Sequence, residues 1–119
     1  MKFNNIQESL DEIIDNNYLV IVEGKKDKKA LNNLGVRNII SLENRPLFEV
    51  VESIEEKDIV ILTDLDAEGR KLFNNLRHHL QRRRFKLHNK IRKELFKMNL
   101  INIEGLKQQH FDKQNSKFF

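Results

Sequence analysis

Two short apolar runs constrain this chain more than any other feature of it. Residues 18–22 (YLVIV) and 58–62 (DIVIL) are rich in β-branched side chains, and each is bounded by polar residues. A strand with one wet face alternates in polarity. A continuous apolar run needs both faces covered, as in a parallel sheet packed between helices. Such a sheet requires helices between its strands, and the spacing of apolar residues supplies them.

Ile6, Leu10, Ile13 and Ile14 predict an amphipathic helix over residues 5–15. A second follows over 26–34, with Ala30, Leu31 and Leu34 inward and Gly35 as its stop. Residues 36–41 form a second strand, and Pro46 suits the first turn of a helix carrying Leu47, Phe48, Val50, Val51 and Ile54. Leu72, Phe73, Leu76 and Leu80 mark the helix after the third strand. Beyond residue 81 two readings compete: 85–88 as a short fourth strand, or Leu87, Ile91 and Leu95 as a helical stripe. Residues 112–119 read as a frayed polar tail. The expectation is one α/β domain over residues 1–119, an open, mainly parallel sheet of about four strands flanked by helices.

Composition narrows the function classes. There is no cysteine, which excludes disulfides, thiolate zinc sites and a cysteine nucleophile, and points to the reducing cytoplasm. No apolar stretch approaches the roughly 20 residues of a membrane helix, and the first residues do not read as a signal peptide. Net charge is +4, but residues 1–60 carry 8 basic and 12 acidic side chains while 61–119 carry 14 and 6. From Arg70 to Lys97 there are eleven Lys or Arg and one acid, Glu94. That bias suits a polyanionic partner, although a solvated helix face would carry it too. The acids of residues 43–58 are the nearest alternative partners, on a helix expected across the sheet from the basic segment.

Open parallel sheets place ligands just beyond the carboxyl ends of their strands. The first run leads into Glu23-Gly24-Lys25-Lys26-Asp27, and the third strand into Thr63-Asp64-Leu65-Asp66-Ala67-Glu68-Gly69-Arg70. Asp64 and Asp66, two apart on extended chain, are expected to point the same way and share an ion. Hard oxygen donors suit Mg²⁺ or Mn²⁺. Gly24 and Gly69 permit tight strand-to-helix turns that let phosphates approach backbone N–H groups. Taken singly, an Asp-x-Asp is common in loops, and Asp27 is an ordinary acid for a helix N-terminus. Two such clusters at two strand ends are harder to dismiss, because packed carboxylates repel unless a cation neutralises them.

Glu23-Gly24-x-x-Asp27 followed by Asp64-x-Asp66-x-x-Gly69-Arg70 resembles the Toprim domain of topoisomerases, primases, old-family nucleases, recombination proteins and the 5S ribosomal RNA maturation nuclease. The resemblance is close over about residues 17–80, and is greatest to small stand-alone Toprim proteins related to that nuclease. It implies a Rossmann-like Toprim fold, with Glu23 as general acid/base and Asp64 and Asp66 as metal ligands. Glu68 completes the Asp-x-Asp-x-Glu form, and Glu23 joins the metal set.

Topoisomerases need a tyrosine nucleophile, and Tyr18 is expected inside a buried strand. Primases need further domains. A Mg²⁺-dependent nuclease acting on structured RNA or on DNA is left. The alternative is a non-catalytic nucleic-acid- or ribosome-associated module that needs a partner for chemistry. Lys25, Lys26 and Arg70 would rim the acidic centre, and Arg82, Arg83 and Arg84, with Arg92 among the basic residues beyond, would track a phosphate backbone. His78 and His79, adjacent on a helix, cannot face one ion together. His88 is expected at the surface or against substrate. A monomer or weak dimer is expected.

Overall fold

β1 (Leu19–Val22) is buried along its whole length, and its neighbour β3 (Asp58–Ile61) nearly so. Successive side chains go to opposite faces. Val20, Val22, Val60 and Leu62 join one apolar cluster, and Leu19, Ile21, Ile59 and Ile61 the other. This is the physical reason for the unbroken apolar runs. The computed structural model describes residues 2–97, with side chains described from residue 6, and the tail expected at 112–119 lies outside them.

The remaining elements are α1 (Lys2–Asp15), α2 (Lys25–Asn33), β2 (Ile39–Ser41), α3 (Leu47–Ser53), α4 (Ala67–Arg82), β4 (Lys86–Leu87) and α5 (Lys90–Lys97). The strand order is β2-β1-β3-β4, with every pairing parallel. In register, Val20 lies opposite both Ile39 and Val60. Ile6, Leu10 and Ile13 of α1, Leu31 of α2, and Ile91 and Leu95 of α5 cover one face. Val50 and Val51 of α3, with Leu76 and Leu80 of α4, cover the other.

β1 leads outward to β2, and the chain then returns past β1 to reach β3 on its other side. The order of strands therefore reverses between β1 and β3. A crevice opens at the carboxyl ends there, and Glu23 and Asp64 follow those two strands.

Several expectations need correcting. α3 lies across the sheet from the α5 part of the basic segment, as expected, but not from its α4 part. It packs against α4 on the same face, because its stripe Val50–Val51 joins the cluster of Leu76 and Leu80. Pro46 stands one residue before α3 as its cap, with extended ψ of 141°. α4 begins at Ala67, ahead of its apolar stripe, because the Asp66 side chain caps it. After residue 81 both competing readings hold in turn. β4 takes Lys86–Leu87 and α5 uses Ile91 and Leu95.

Tyr18 sits just before β1, half-buried, rather than inside it. Its ring stacks on His88 with centroids 4.2 Å apart, and its hydroxyl donates to Glu12. His88 is also 2.8 Å from Asp58, the first residue of β3, so it is a packing residue at the amino edge of the sheet and not a free surface group.

Candidate functional site

Glu23 leaves β1 one residue past its end, and Asp64 follows β3 by three. Asp27 returns to them from the first turn of α2, where it is 6% exposed. One carboxylate oxygen from each of Glu23, Asp27 and Asp64 lies within 4.8 Å of the others, so the three form a group that could hold a metal ion. Their chemistry fits a hard divalent cation, since all three donors are carboxylate oxygens and the chain has no thiolate to offer.

Local geometry holds each member. Gly24 N–H donates to Asp27 Oδ2 at 3.1 Å, tying the turn after β1 to the first turn of α2. Asp64 N–H donates to Glu23 Oε2 at 3.4 Å, a link across the crevice between the two strands. Burial comes first in raising the Glu23 carboxyl from 4.5 to about 7, and hydrogen bonding to Asp64 and the negative charge of Asp64 and Asp66 add to it.

The loop after β3 is held by its main chain. Arg92 of α5 donates from one guanidinium nitrogen to Thr63 O and from the other to Asp64 O. Arg70 Nε donates to Leu65 O at 2.9 Å, and Arg70 N–H to Asp66 O at 3.0 Å. Four successive carbonyls are thus taken by two arginines. The buried Thr63 hydroxyl donates to Gly69 O at 2.7 Å and closes the loop onto α4. Gly69 is required by close approach, because a Cβ there would lie 2.0 Å from Asp64 O.

Asp66 and Glu68 stand apart from the group of three. Asp66 Oδ1 accepts from Gly69 N–H at 2.7 Å as the cap of α4, and its charge is still felt at Glu23. Glu68 is exposed on the first turn of α4. Lys25 and Lys26 are exposed beside the centre, where they line an open depression of about 450 Å³ with Glu23, Asp27 and Asp64.

Glu43 completes that depression, and its carboxylate accepts from Lys25 N–H at 3.2 Å. It follows β2 as Glu23 follows β1, so the strand-end rule would have found it had it been applied to the second strand. Arg92 is a second residue whose role differs from expectation. It is 8% exposed, stacks 4.4 Å over the Phe73 ring, and props the loop instead of tracking a backbone.

Arg82, Arg83 and Arg84 lie at the other end of α4. With a rise of 1.5 Å per residue, they are roughly 24 Å along the helix from Asp66. Arg84 takes the left-handed conformation (φ 64°) that ends α4, and Phe85 N–H donates back to Leu80 O.

A parallel α/β sheet with carboxylates gathered at its switch point and lysines beside them defines a small α/β protein with an acidic, cation-competent site. Proteins similar to this chain narrow that class. UPF0292 proteins of Thermococcus sibiricus and Thermococcus onnurineus are 32% and 33% identical over 106 residues, spanning 87% of this chain and 84% and 80% of theirs. A UPF0292 protein of Thermococcus kodakarensis is 37% identical over 101 residues, 83% of this chain and 76% of that one. The chain belongs to the UPF0292 family. No family model matches it. A solved structure, a putative protein from Aquifex aeolicus, shares the fold with a TM-score of 0.77 at 31% identity, covering 84% of this chain and 96% of that one.

Proposed function

We propose that this protein is a Toprim-type nuclease that hydrolyses phosphodiester bonds in structured RNA, using Mg²⁺ or Mn²⁺. The observation that carries the reading is the convergence of Glu23, Asp27 and Asp64 at the switch point of the sheet, with exposed lysines beside them. Glu23, Asp27 and Asp64 would hold the cation, with Asp66 and Glu68 adjacent. When bound, the cation supplies polarisation of the phosphoryl oxygens and neutralises charge that develops during in-line displacement.

The chain's own residues do the rest. Glu23, following the Toprim resemblance, transfers the proton of the attacking water or of the leaving oxygen. Lys25 and Lys26 draw phosphate toward a centre that would otherwise repel it. The loop held by Arg92 and Arg70 fixes Asp64 before substrate arrives, so little ordering is left for the reaction to supply. No described helix is long and apolar enough to cross a membrane, and a cysteine-free chain suits the cytoplasm.

A second reading is favoured by one observation. The Asp66 carboxylate, expected as a ligand, already caps α4. A centre with fewer free ligands suits a nucleic-acid-binding module that gains catalysis from a partner subunit or a ribosomal surface.

One experiment separates the two. Purified protein is incubated with labelled structured RNA, single-stranded DNA and duplex DNA, each with Mg²⁺, Mn²⁺ or EDTA. Metal-dependent cleavage abolished by Asp64→Asn supports the nuclease. Binding without cleavage supports the module, and neither binding nor cleavage overturns both.

A further inference from the structure

β4 ends at Leu87, opposite Ile59, so among the described residues Val60 and Ile61 are paired only on their β1 side. Beyond that short strand the first half of α4 and one side of α5 leave a groove of about 630 Å³. Its apolar lining comes from Leu65, Phe73 and Phe96. Leu65 is the residue between Asp64 and Asp66, and the Arg92 guanidinium both lines the groove and reaches Asp64 O. The groove therefore starts where the acidic centre ends.

Its chemistry is specific. Phe96 is 61% exposed, one of two large apolar residues so open among the described ones, while Phe73 carries Arg92 stacked on its ring. Arg70, Lys93 and Lys97 are exposed at the rim, and no acid lines the groove among the described residues. The volume lies within the range of roughly 300–1,000 Å³ typical of small-ligand sites. A ligand that matches the aromatic lining and the basic rim is planar, aromatic and anionic.

We propose that this groove receives an unstacked base of single-stranded nucleic acid, stacked on Phe96, with the flanking phosphates on Arg70, Lys93 and Lys97. Bases splayed from loops and single strands are recognised on aromatic faces in this way, and base-paired stems are not. The proposal rests on the nuclease reading and adds to it a preference for a single-stranded segment at the scissile phosphate.

The test uses a labelled single strand of roughly ten nucleotides, a length within the range one such module covers, and a duplex of the same sequence. Binding is measured with Ca²⁺ in place of Mg²⁺, and cleavage with Mg²⁺. Phe96→Ala should weaken single-strand binding about five- to a hundredfold, the loss of one base–aromatic stack, and leave duplex binding within about twofold. Phe96→Tyr should restore the single-strand affinity. Because Phe96 is exposed, melting curves of both variants should match the wild type. If Phe96→Ala binds and cleaves single strands as the wild type does, the groove is not a base site, while the nuclease reading stands. If the wild type binds no nucleic acid, the nuclease reading fails and the groove proposal with it. If Phe96→Ala turns a sedimenting dimer into a monomer without changing single-strand affinity, the groove is an interface between copies and the proposal is overturned.

Discussion

The main chain of Gly69 lies so close to Asp64 that a Cβ on Gly69 would sit 2.0 Å from the Asp64 carbonyl oxygen. Real Cβ atoms do not approach a carbonyl so closely, and the obstacle is backbone rather than the movable tip of a side chain. Gly69→Ala must therefore push apart α4 and the loop that carries the Asp64 carboxylate. Overpacking of this kind costs about 1–3 kcal/mol. For a domain of about 100 residues that is a fall in melting temperature of roughly 4–8 °C per kcal/mol. Any metal-dependent activity should fall further than stability does, since Asp64 itself moves. A Gly69→Ala protein with wild-type melting and wild-type cleavage would show that the loop is not held as described.

Arg92 offers a second handle on the same loop, from the opposite face of the sheet. Burial pushes its guanidinium below its ordinary pKa, and the charges of Glu23 and Asp64 oppose that shift. Arg92→Lys keeps the charge but loses the fork that spans Thr63 O and Asp64 O. Leaving a buried carbonyl unpaired costs about 1–3 kcal/mol, so urea midpoints should drop accordingly. Cleavage should lose turnover with little change in substrate affinity, because Arg92 acts through Asp64. Equal loss of both would place Arg92 against substrate instead.

Most of the scaffold was legible in the sequence, for an identifiable reason. The apolar residues at 19–22 and 59–62 are buried on both faces of the sheet, as a helix-covered parallel sheet requires. The roles the sequence leaves open are those decided by tertiary contacts. Asp66 carries the motif of a ligand, yet its spacing to Gly69 also makes it a helix cap, and local geometry used one oxygen that way. Arg92 reads as one cation in a basic run. Only the register of α5 against the loop turns its guanidinium toward two carbonyls. Asp27 was legible as a helix-start acid, and its approach to Glu23 depends on the crevice between β1 and β3.

The raised Glu23 carboxyl gives a pH signature. Its pKa is about 7 in the fold against 4.5 ordinarily, so between those values the folded protein binds more protons than the unfolded chain. This group's contribution is fully present below about pH 4.5 and is lost as pH rises through about 7. Metal-free protein should therefore lose melting temperature between pH 5 and about 8, by a few degrees, since Glu23 is only partly buried and solvent screens much of the effect. Saturating Mg²⁺ should reverse the loss, because metal bound only to the native state adds about 2.7 kcal/mol at 100 times its Kd. Glu23→Gln should flatten the pH profile. A variant that keeps the wild-type slope would move the cause to another group.

The same substitution separates chemistry from binding. Glu23→Gln preserves size and hydrogen bonding but cannot transfer a proton, and such roles are worth roughly 10²–10⁴ in rate. Cleavage should fall by that factor while nucleic-acid affinity is kept. Asp64→Asn, by contrast, should lose both cleavage and the Mg²⁺-induced rise in melting temperature. An active Glu23→Gln protein would remove Glu23 from the mechanism.

The arginines at the far end of α4 make a prediction that depends on substrate length. Arg82 and Arg83 are exposed and line a shallow depression with Glu52 of α3, on the face α3 and α4 share. They lie about 24 Å along α4 from Asp66, which at 3.4 Å per phosphate along one strand is roughly seven phosphates away. A long duplex or folded RNA can span that distance, and a strand of four or so nucleotides cannot. Arg82→Gln with Arg83→Gln should flatten the salt dependence of binding to a long substrate by up to about two units, at roughly −0.7 to −0.9 per phosphate. The loss should be similar for unrelated sequences, because backbone contacts carry no base information. Binding to a very short oligonucleotide should keep its wild-type slope. Arg84 is left in place because its left-handed backbone ends α4, and a change there would mix folding with binding. Melting temperature should barely move, since exposed charges contribute little to stability. If the double variant keeps the wild-type slope on long substrates, the phosphate path runs instead over Lys25, Lys26 and Arg70, at the acidic centre itself.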